Sequence, residues 1–291
     1  MSPLRLGNAQ SVAASYTPLF RALAEARVAP LGSALGAVSR SLGGVDALEV
    51  NAASKRIADA VARWERHLFP VLAAIGKNFL GAVFPANLRE IDGVDLTAVL
   101  DAGRHEGIAL YGVPRASTAQ SILSAGDPQA RRAVFGRKFD SIAADDLSAL
   151  ETISAPQVAV HASMLRSAIE AAQAGHTRAA QALATCVLDA AVFDLVEADI
   201  SAYARARKRD PERRAEAELT LRDALVILPL IHAFVVYRRK DGDPVPRTYS
   251  RNATVHHPGP RQYSRRNAAQ ALLLTTSVLL YADELRTGRK R

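Results

Sequence analysis

Apolar residues recur at intervals of three and four along much of the chain, and this spacing predicts amphipathic helices. In the amino-terminal half it predicts helices that are separated by proline and glycine stops, including the turn Gly126-Asp127-Pro128. Alanine and leucine dominate and runs of β-branched residues are few, so the sequence predicts an all-α protein of many helices. The segments predicted in this half are 17–27, 53–75, 96–104, 116–123 and 140–150.

The carboxyl-terminal half contains four longer helical patterns with a proline- and glycine-rich connection before the last one. Residues 238–261 hold this connection, which we expect to be a loop, and Pro229 is expected to kink the third helix. Four amphipathic helices with short connections predict a bundle. We therefore divide the chain into an amino-terminal helical region of unassigned role, 1–154, and a four-helix bundle with a basic tail, 155–291. The four predicted helices are 155–174, 177–206, 211–237 and 264–285.

Composition narrows the class of protein. The single cysteine, Cys186, excludes a disulfide within the chain, and residues 1–16 show no signal peptide. The longest apolar run, 224–237, is shorter than the roughly 20 residues that a bilayer span requires. These features predict a soluble, cytoplasmic protein with no membrane partner.

Charge is distributed unevenly along the 291 residues. The net charge is +8, and residues 201–291 contain 19 of the 37 basic residues but only nine of the 29 acidic residues. Basic segments attract polyanions through their long-range field, so this half is expected to bind a nucleic acid or another polyanion. The alternative is a solvated surface that ends in a frayed tail.

Several chemistries lack the residues that they require. The chain has no zinc-finger spacing, no His-Glu-x-x-His helix, no phosphate-binding glycine loop and no Gly-x-Ser-x-Gly turn, so we predict neither a metal nor a cofactor. An acidic segment in the second bundle helix is interpreted as a solvated face rather than as catalytic carboxylates. Its members are Asp189, Asp194, Glu197 and Asp199.

The connection before the last helix contains Arg251-Asn252-Ala253-Thr254-Val255-His256, which pairs a fixed cation with a group that titrates near neutral pH. This motif, placed before the last helix of a predicted four-helix bundle, resembles the signature of the HEPN superfamily. That signature is an arginine, then four to six residues of which the first is often polar, and then a histidine. His257 also fits the permitted spacing and is an alternative to His256. The resemblance covers about 155–285 and does not extend to the amino-terminal region.

The resemblance implies a metal-independent endoribonuclease, of the kind found among toxins and anti-phage defence effectors. In that chemistry a 2′-hydroxyl attacks the adjacent phosphorus, His256 moves a proton, and Arg251 stabilises charge on the phosphoryl oxygens. Asn252 orients the phosphate or the histidine. The resemblance also implies a homodimer in which two motifs face one cleft, and it suggests an antitoxin or regulatory protein as a further partner.

Basic and aromatic residues around the motif are expected to hold RNA, because arginines neutralise phosphates and tyrosines stack on unpaired bases. The alternative function is a non-catalytic helical module that binds RNA or a protein. In that case Arg251 stabilises the fold and His256 packs against the bundle. The expected RNA-binding residues are Arg247, Tyr249, Arg261, Tyr263, Arg265 and Arg266.

Overall fold

A computed structural model describes residues 84–197, 221–235 and 237–289, and within these ranges the protein is helical with no strand. The predicted all-α class is therefore confirmed for the described residues. The helices predicted at 17–27 and 53–75 lie outside them. The helices are α1 Ala86–Arg89, α2 Leu96–Glu106, α3 Ala116–Leu123, α4 Pro128–Arg137, α5 Phe139–Leu150, α6 Pro156–Gln173, α7 Thr177–Ala191, α8 Leu221–Ala233, α9 Arg251–His256 and α10 Arg265–Thr287.

Helix α10 is the central helix of the described structure. The Ser264 side chain begins it by accepting a hydrogen bond from the backbone N–H of Asn267, and Gly288, with φ of 68°, ends it in the left-handed conformation. Every residue of 267–280 is buried. Helices α4, α5, α6, α7 and α8 pack around it, so the last helix of the predicted bundle is enclosed by its neighbours.

The other predicted bundle helices are also present within the described residues, and the parts predicted at 198–206 and 211–220 lie outside them. Helix α6 packs along α7, and both contact α10, whereas α8 packs mainly against α2 and also contacts α10. Helix α7 continues as a π-helical turn over Val192–Glu197. Pro229 lies inside α8, where its ring fits against α2 because Gly103 carries no side chain there.

The residues on either side of the predicted boundary at 154 share one hydrophobic core, which extends from Phe84 to Ala282. The boundary itself is attached to α10. The buried carboxylate of Asp283 accepts hydrogen bonds from the backbone N–H groups of Ser154 and Ala155, at 2.8 and 2.7 Å. The described helices of the amino-terminal region therefore pack directly against the helices of the predicted bundle.

Helix α4 is an addition to the predicted helices. Gly126-Asp127-Pro128 is predicted as a turn, and the same residues also start a helix. Asp127 caps it by accepting from the N–H of Ala130 at 2.7 Å, and Pro128 occupies the first turn. None of the described helices is both long and apolar enough to cross a bilayer.

Asp146 is a fully buried carboxyl group in α5, and burial raises its pKa well above the usual value, with the neighbouring Asp145 adding to the effect. A raised folded-state pKa favours folding below the unfolded pKa and loses that contribution as pH rises toward the folded value. We therefore expect Asp146→Asn to gain stability relative to wild type as pH rises from 5 to 8. The expected gain is up to about 1.4 kcal/mol for each pH unit below the folded pKa.

Urea unfolding at both pH values measures this difference, with Asp92→Asn as a matched control because Asp92 is exposed. The control should follow the wild type at both values. Parallel pH dependences for Asp146→Asn and wild type would contradict the assignment of a raised pKa.

Candidate functional site

The Arg-x4-His motif forms a short helix of its own, so the loop predicted for 238–261 is wrong at this point. Helix α9 begins after Ser250, whose hydroxyl accepts a hydrogen bond from the N–H of Ala253 at 3.2 Å. This serine cap is the local reason that the segment folds as a helix. It also fixes the directions in which the motif side chains leave the backbone.

Arg251 is held in an ion pair with Asp189, in the last turn of α7. Its Nε donates to Oδ1 at 3.0 Å and one terminal nitrogen donates to Oδ2 at 2.7 Å, which is the two-point geometry of an arginine–carboxylate pair. The Arg251 side chain is only 12% exposed and lies over the Phe234 ring, 5.9 Å from its centroid. The guanidinium is therefore fixed in place beneath the surface.

Asn252 is engaged with the backbone and with Arg251. Its amide nitrogen donates to the carbonyl groups of Phe234 and Val235 at 3.2 and 3.0 Å, immediately after α8 ends. Its side-chain oxygen accepts from the second terminal nitrogen of Arg251 at 3.1 Å. In the structure Asn252 joins the end of α8 to α9 and helps to hold Arg251, and its expected role toward the phosphate or the histidine stays a prediction.

Gln262 ties α9 to the preceding loop and to α7, and it is completely buried. Its side-chain oxygen accepts from the backbone N–H of Ser250 at 3.0 Å and from the Thr254 hydroxyl at 3.3 Å. The amide of Gln181, on α7, donates to the Thr254 hydroxyl and to the Gln262 carbonyl, both at 3.1 Å. Because buried polar groups are costly to leave unpaired, this network stabilises one orientation of α9.

The two histidines have different surroundings. His256 is exposed at the end of α9, so its packing against the bundle, the alternative expectation, does not occur. His257 is partly buried, and its ring meets the Tyr237 ring edge to face, with centroids 6.1 Å apart. Its buried Nδ1 has no hydrogen-bond partner among the described residues. His256 is therefore the histidine that is open to a substrate.

The structure brings Arg251, Asn252 and Asp189 together and leaves His256 apart from them. Five residues along an α-helix correspond to a rotation of roughly 140° about its axis. Arg251 accordingly faces α7 and the end of α8, whereas His256 faces solvent. Within one chain the two motif side chains do not converge on a common cleft.

Of the residues expected to bind RNA, Tyr249 is corrected by the structure. Its side chain is 2% exposed and its hydroxyl donates to the Thr185 hydroxyl at 3.0 Å, so the ring is unable to stack on a base. Tyr263 is partly buried and its hydroxyl donates to the Thr254 carbonyl at 3.1 Å. Tyr249 is a core residue, and Tyr263 keeps part of its surface.

The four arginines expected to bind RNA are exposed. Arg265 forms an ion pair with Asp140 at 2.8 Å and lies 4.7 Å from the centroid of the Phe139 ring. Both members of that pair are largely exposed, at 51% and 81%, so water and salt weaken the attraction between them. Arg247, Arg261 and Arg266 form no ion pair with a described residue.

Asp189 is the site residue whose role the sequence analysis missed, since it was assigned to a solvated face. The available signal was the acidic residue on the second bundle helix, but its partner lies 62 positions away. Asp194, in the same segment, approaches His161 at 3.3 Å. Among the described residues, no group of three His, Cys, Asp or Glu side chains is placed to hold a metal ion.

The resemblance to the HEPN superfamily rests on the residues from Arg251 to His256 and on their position before α10. The structure adds that these residues lie on a helix fixed against α7 and α8. Comparison of the chain with models of protein families, with curated proteins and with solved structures found no match.

Proposed function

We propose that the protein binds RNA through its exposed arginines and cleaves it without a metal ion, in the manner of the HEPN ribonucleases. The observation that supports cleavage is the exposure of His256 at the end of α9. The same helix begins with Arg251, whose guanidinium is held in place by Asp189. A proton-transfer group must reach the reacting atoms, and an exposed imidazole meets that requirement. Four exposed arginines nearby in the sequence supply charge for the strand.

The proposed reaction is an internal displacement at phosphorus. The 2′-oxygen loses its proton and forms a bond to phosphorus, and the bond from phosphorus to the 5′-oxygen breaks. The products are a 2′,3′-cyclic phosphate and a strand with a free 5′-hydroxyl, which takes up a proton. His256 transfers one of these protons, and Arg251 stabilises negative charge on the phosphoryl oxygens. Because the two side chains diverge within one chain, the proposed reaction takes His256 from one chain and Arg251 from the other chain of the homodimer that the resemblance implies.

Arg251 has to reach the phosphate from its position in the ion pair. Within the described residues, three of the five N–H groups of its guanidinium donate to Asp189 and Asn252. The remaining two are free to donate to a phosphate if the strand reaches the site, but the side chain has little exposed surface. A phosphate could replace the Asp189 carboxylate as the partner of the guanidinium, because both groups accept two parallel hydrogen bonds from an arginine.

RNA binding without cleavage is the second candidate function, and the ion pair of Arg251 with Asp189 favours it. Arginine in this pair stabilises the attachment of α9 to α7, which is a structural role. The different directions of Arg251 and His256 also favour this candidate for a single chain. A homodimer and an antitoxin stay predictions of the resemblance.

Cleavage, where it occurs, is expected to continue after divalent metals are removed. Purified protein incubated with RNA in excess chelator should yield fragments that end in a 2′,3′-cyclic phosphate and begin with a 5′-hydroxyl. Gel analysis with and without phosphatase treatment, and mass spectrometry of the fragments, identify both ends. Loss of activity in chelator and its return with magnesium would exclude the proposed reaction, and RNA binding without fragments would support the second candidate.

A further inference from the structure

Arg132, on α4, is a partly buried guanidinium that is held by uncharged groups. Its two terminal nitrogens donate to the side-chain oxygen of Asn267 at 3.3 and 3.2 Å, and one of them donates to the oxygen of Gln270 at 3.4 Å. Both amides belong to α10 and are buried. Amides position a guanidinium without neutralising it, so Arg132 keeps its full positive charge.

The two amides are themselves fixed so that their oxygens face Arg132. The Asn267 amide nitrogen donates to the Gln262 carbonyl at 2.8 Å, and that of Gln270 donates to the Glu106 carbonyl at 2.9 Å. With each nitrogen held by the backbone, each oxygen is left to accept from the arginine. The arrangement is therefore built from buried side chains and does not depend on a mobile surface group.

Two more arginines contribute positive charge near Arg132. Arg266, in the first turn of α10, lies beside Gly136, which is one turn after Arg132 along α4. Arg247 lies two residues before Tyr249, whose N–H donates at 3.3 Å to the same Gln270 oxygen that Arg132 contacts. Burial lowers the pKa of Arg132, and the charges of Arg266 and Arg247 lower it further.

The carboxylates near this cluster form their ion pairs with other arginines. Glu106 pairs with Arg131, at 2.7 Å, and its charge offsets only part of the effect of the two arginines on the pKa of Arg132, whereas Asp140 pairs with Arg265. None of the three clustered arginines forms an ion pair with a described residue. These three positive charges repel one another, and Arg266, in the first turn of α10, also lies at the positive end of the helix dipole. A bound anion would relieve this repulsion.

We propose that Arg132, Arg247 and Arg266 form a binding site for the phosphate groups of an RNA strand, separate from the Arg251 ion pair. The fixed fork of Arg132 offers a phosphate two parallel donors, and the other two guanidinium groups bind it from the exposed side. The proposal rests on the RNA-binding part of the proposed function and is independent of cleavage. This site adds Arg132, on α4, to an RNA-binding surface that the sequence predicted only from residues after 246.

The test is binding of a fluorescent 2′-O-methylated oligouridine, which has the phosphates of RNA but no 2′-hydroxyl to attack them. Anisotropy titrations of the full chain at several salt concentrations compare wild type with Arg132→Gln, Arg247→Gln and Arg266→Gln. Arg89→Gln, which removes an exposed arginine of α1, is the matched control. Each of the three variants should weaken binding roughly tenfold and reduce the salt slope by about 0.7, whereas the control should match wild type.

Calorimetric titration with inorganic phosphate distinguishes the two sources of the ligand group. If inorganic phosphate binds wild type but not the variants, while the variants keep the wild-type affinity for the strand, the site binds phosphate but not the phosphate groups of RNA. Strand affinities equal to that of the control for Arg247→Gln and Arg266→Gln would overturn the site even where Arg132→Gln does not fold. If wild type produces RNA fragments in chelator and the three variants bind the strand as tightly as wild type, this site alone is rejected. If the variants bind the strand more weakly but wild type produces no fragments, cleavage alone is rejected.

Discussion

Replacing His256 with alanine is expected to reduce RNA cleavage about 10²–10⁴-fold, which is the usual contribution of a proton-transfer group. The imidazole is exposed and makes no described contact, so its removal should leave the fold and the affinity for RNA unchanged. The measurement is the rate of fragment formation in chelator at saturating protein, together with anisotropy of a strand that resists cleavage. Thermal unfolding followed by circular dichroism checks that the variant remains folded.

His257→Ala is the matched control for this prediction. His257 packs against Tyr237, so its replacement is expected to cost some stability while leaving most of the activity. Loss of cleavage in His257→Ala with full activity in His256→Ala would move the assignment by one residue. Full activity in both variants would show that neither imidazole transfers the proton, and the motif would then be structural.

The helices that the sequence predicted best are those in which the periodic apolar residues and the residues that start or stop a helix mark the same segment. Helix α3 has the predicted bounds, 116–123, and α10 begins at Arg265, one residue after the predicted start at 264. Helices α4 and α9 were missed because both are short and contain few apolar residues, so that the periodic signal is weak. In each case one capping side chain, Asp127 or Ser250, is the feature that starts the helix.

The environment of the site was harder to predict than its residues. Arg251 pairs with a carboxylate 62 positions away, and sequence spacing contains no information on such a contact. Tyr249 lies among arginines in the sequence, which suggested stacking on bases, yet the packing of α7 and α10 around the loop buries it. Arg132 was not considered because it belongs to the amino-terminal side of the predicted boundary, and only tertiary packing places it against α10.

Exchanging the two charges of the Arg251–Asp189 pair separates its structural role from its catalytic role. Arg251→Ala alone is expected to cost about 1–3 kcal/mol of stability, because it leaves a partly buried carboxylate without its partner. It should also reduce cleavage about 10²–10³-fold, which is typical of losing one group that stabilises the developing charge. In the double variant Arg251→Asp, Asp189→Arg, the pair can form again with its direction reversed, so most of the lost stability should return.

Cleavage is not expected to return with stability, because the guanidinium would then extend from α7 and α9 would carry a negative charge next to the phosphate. Urea unfolding and the cleavage rate in chelator, measured on wild type, Arg251→Asp, Asp189→Arg and the double variant, complete the cycle. Recovery of both stability and cleavage would show that the pair acts only by attaching α9 to α7. Recovery of stability alone is the result that the proposed ribonuclease requires, because it separates the attachment of α9 to α7 from the charge that position 251 presents to the RNA.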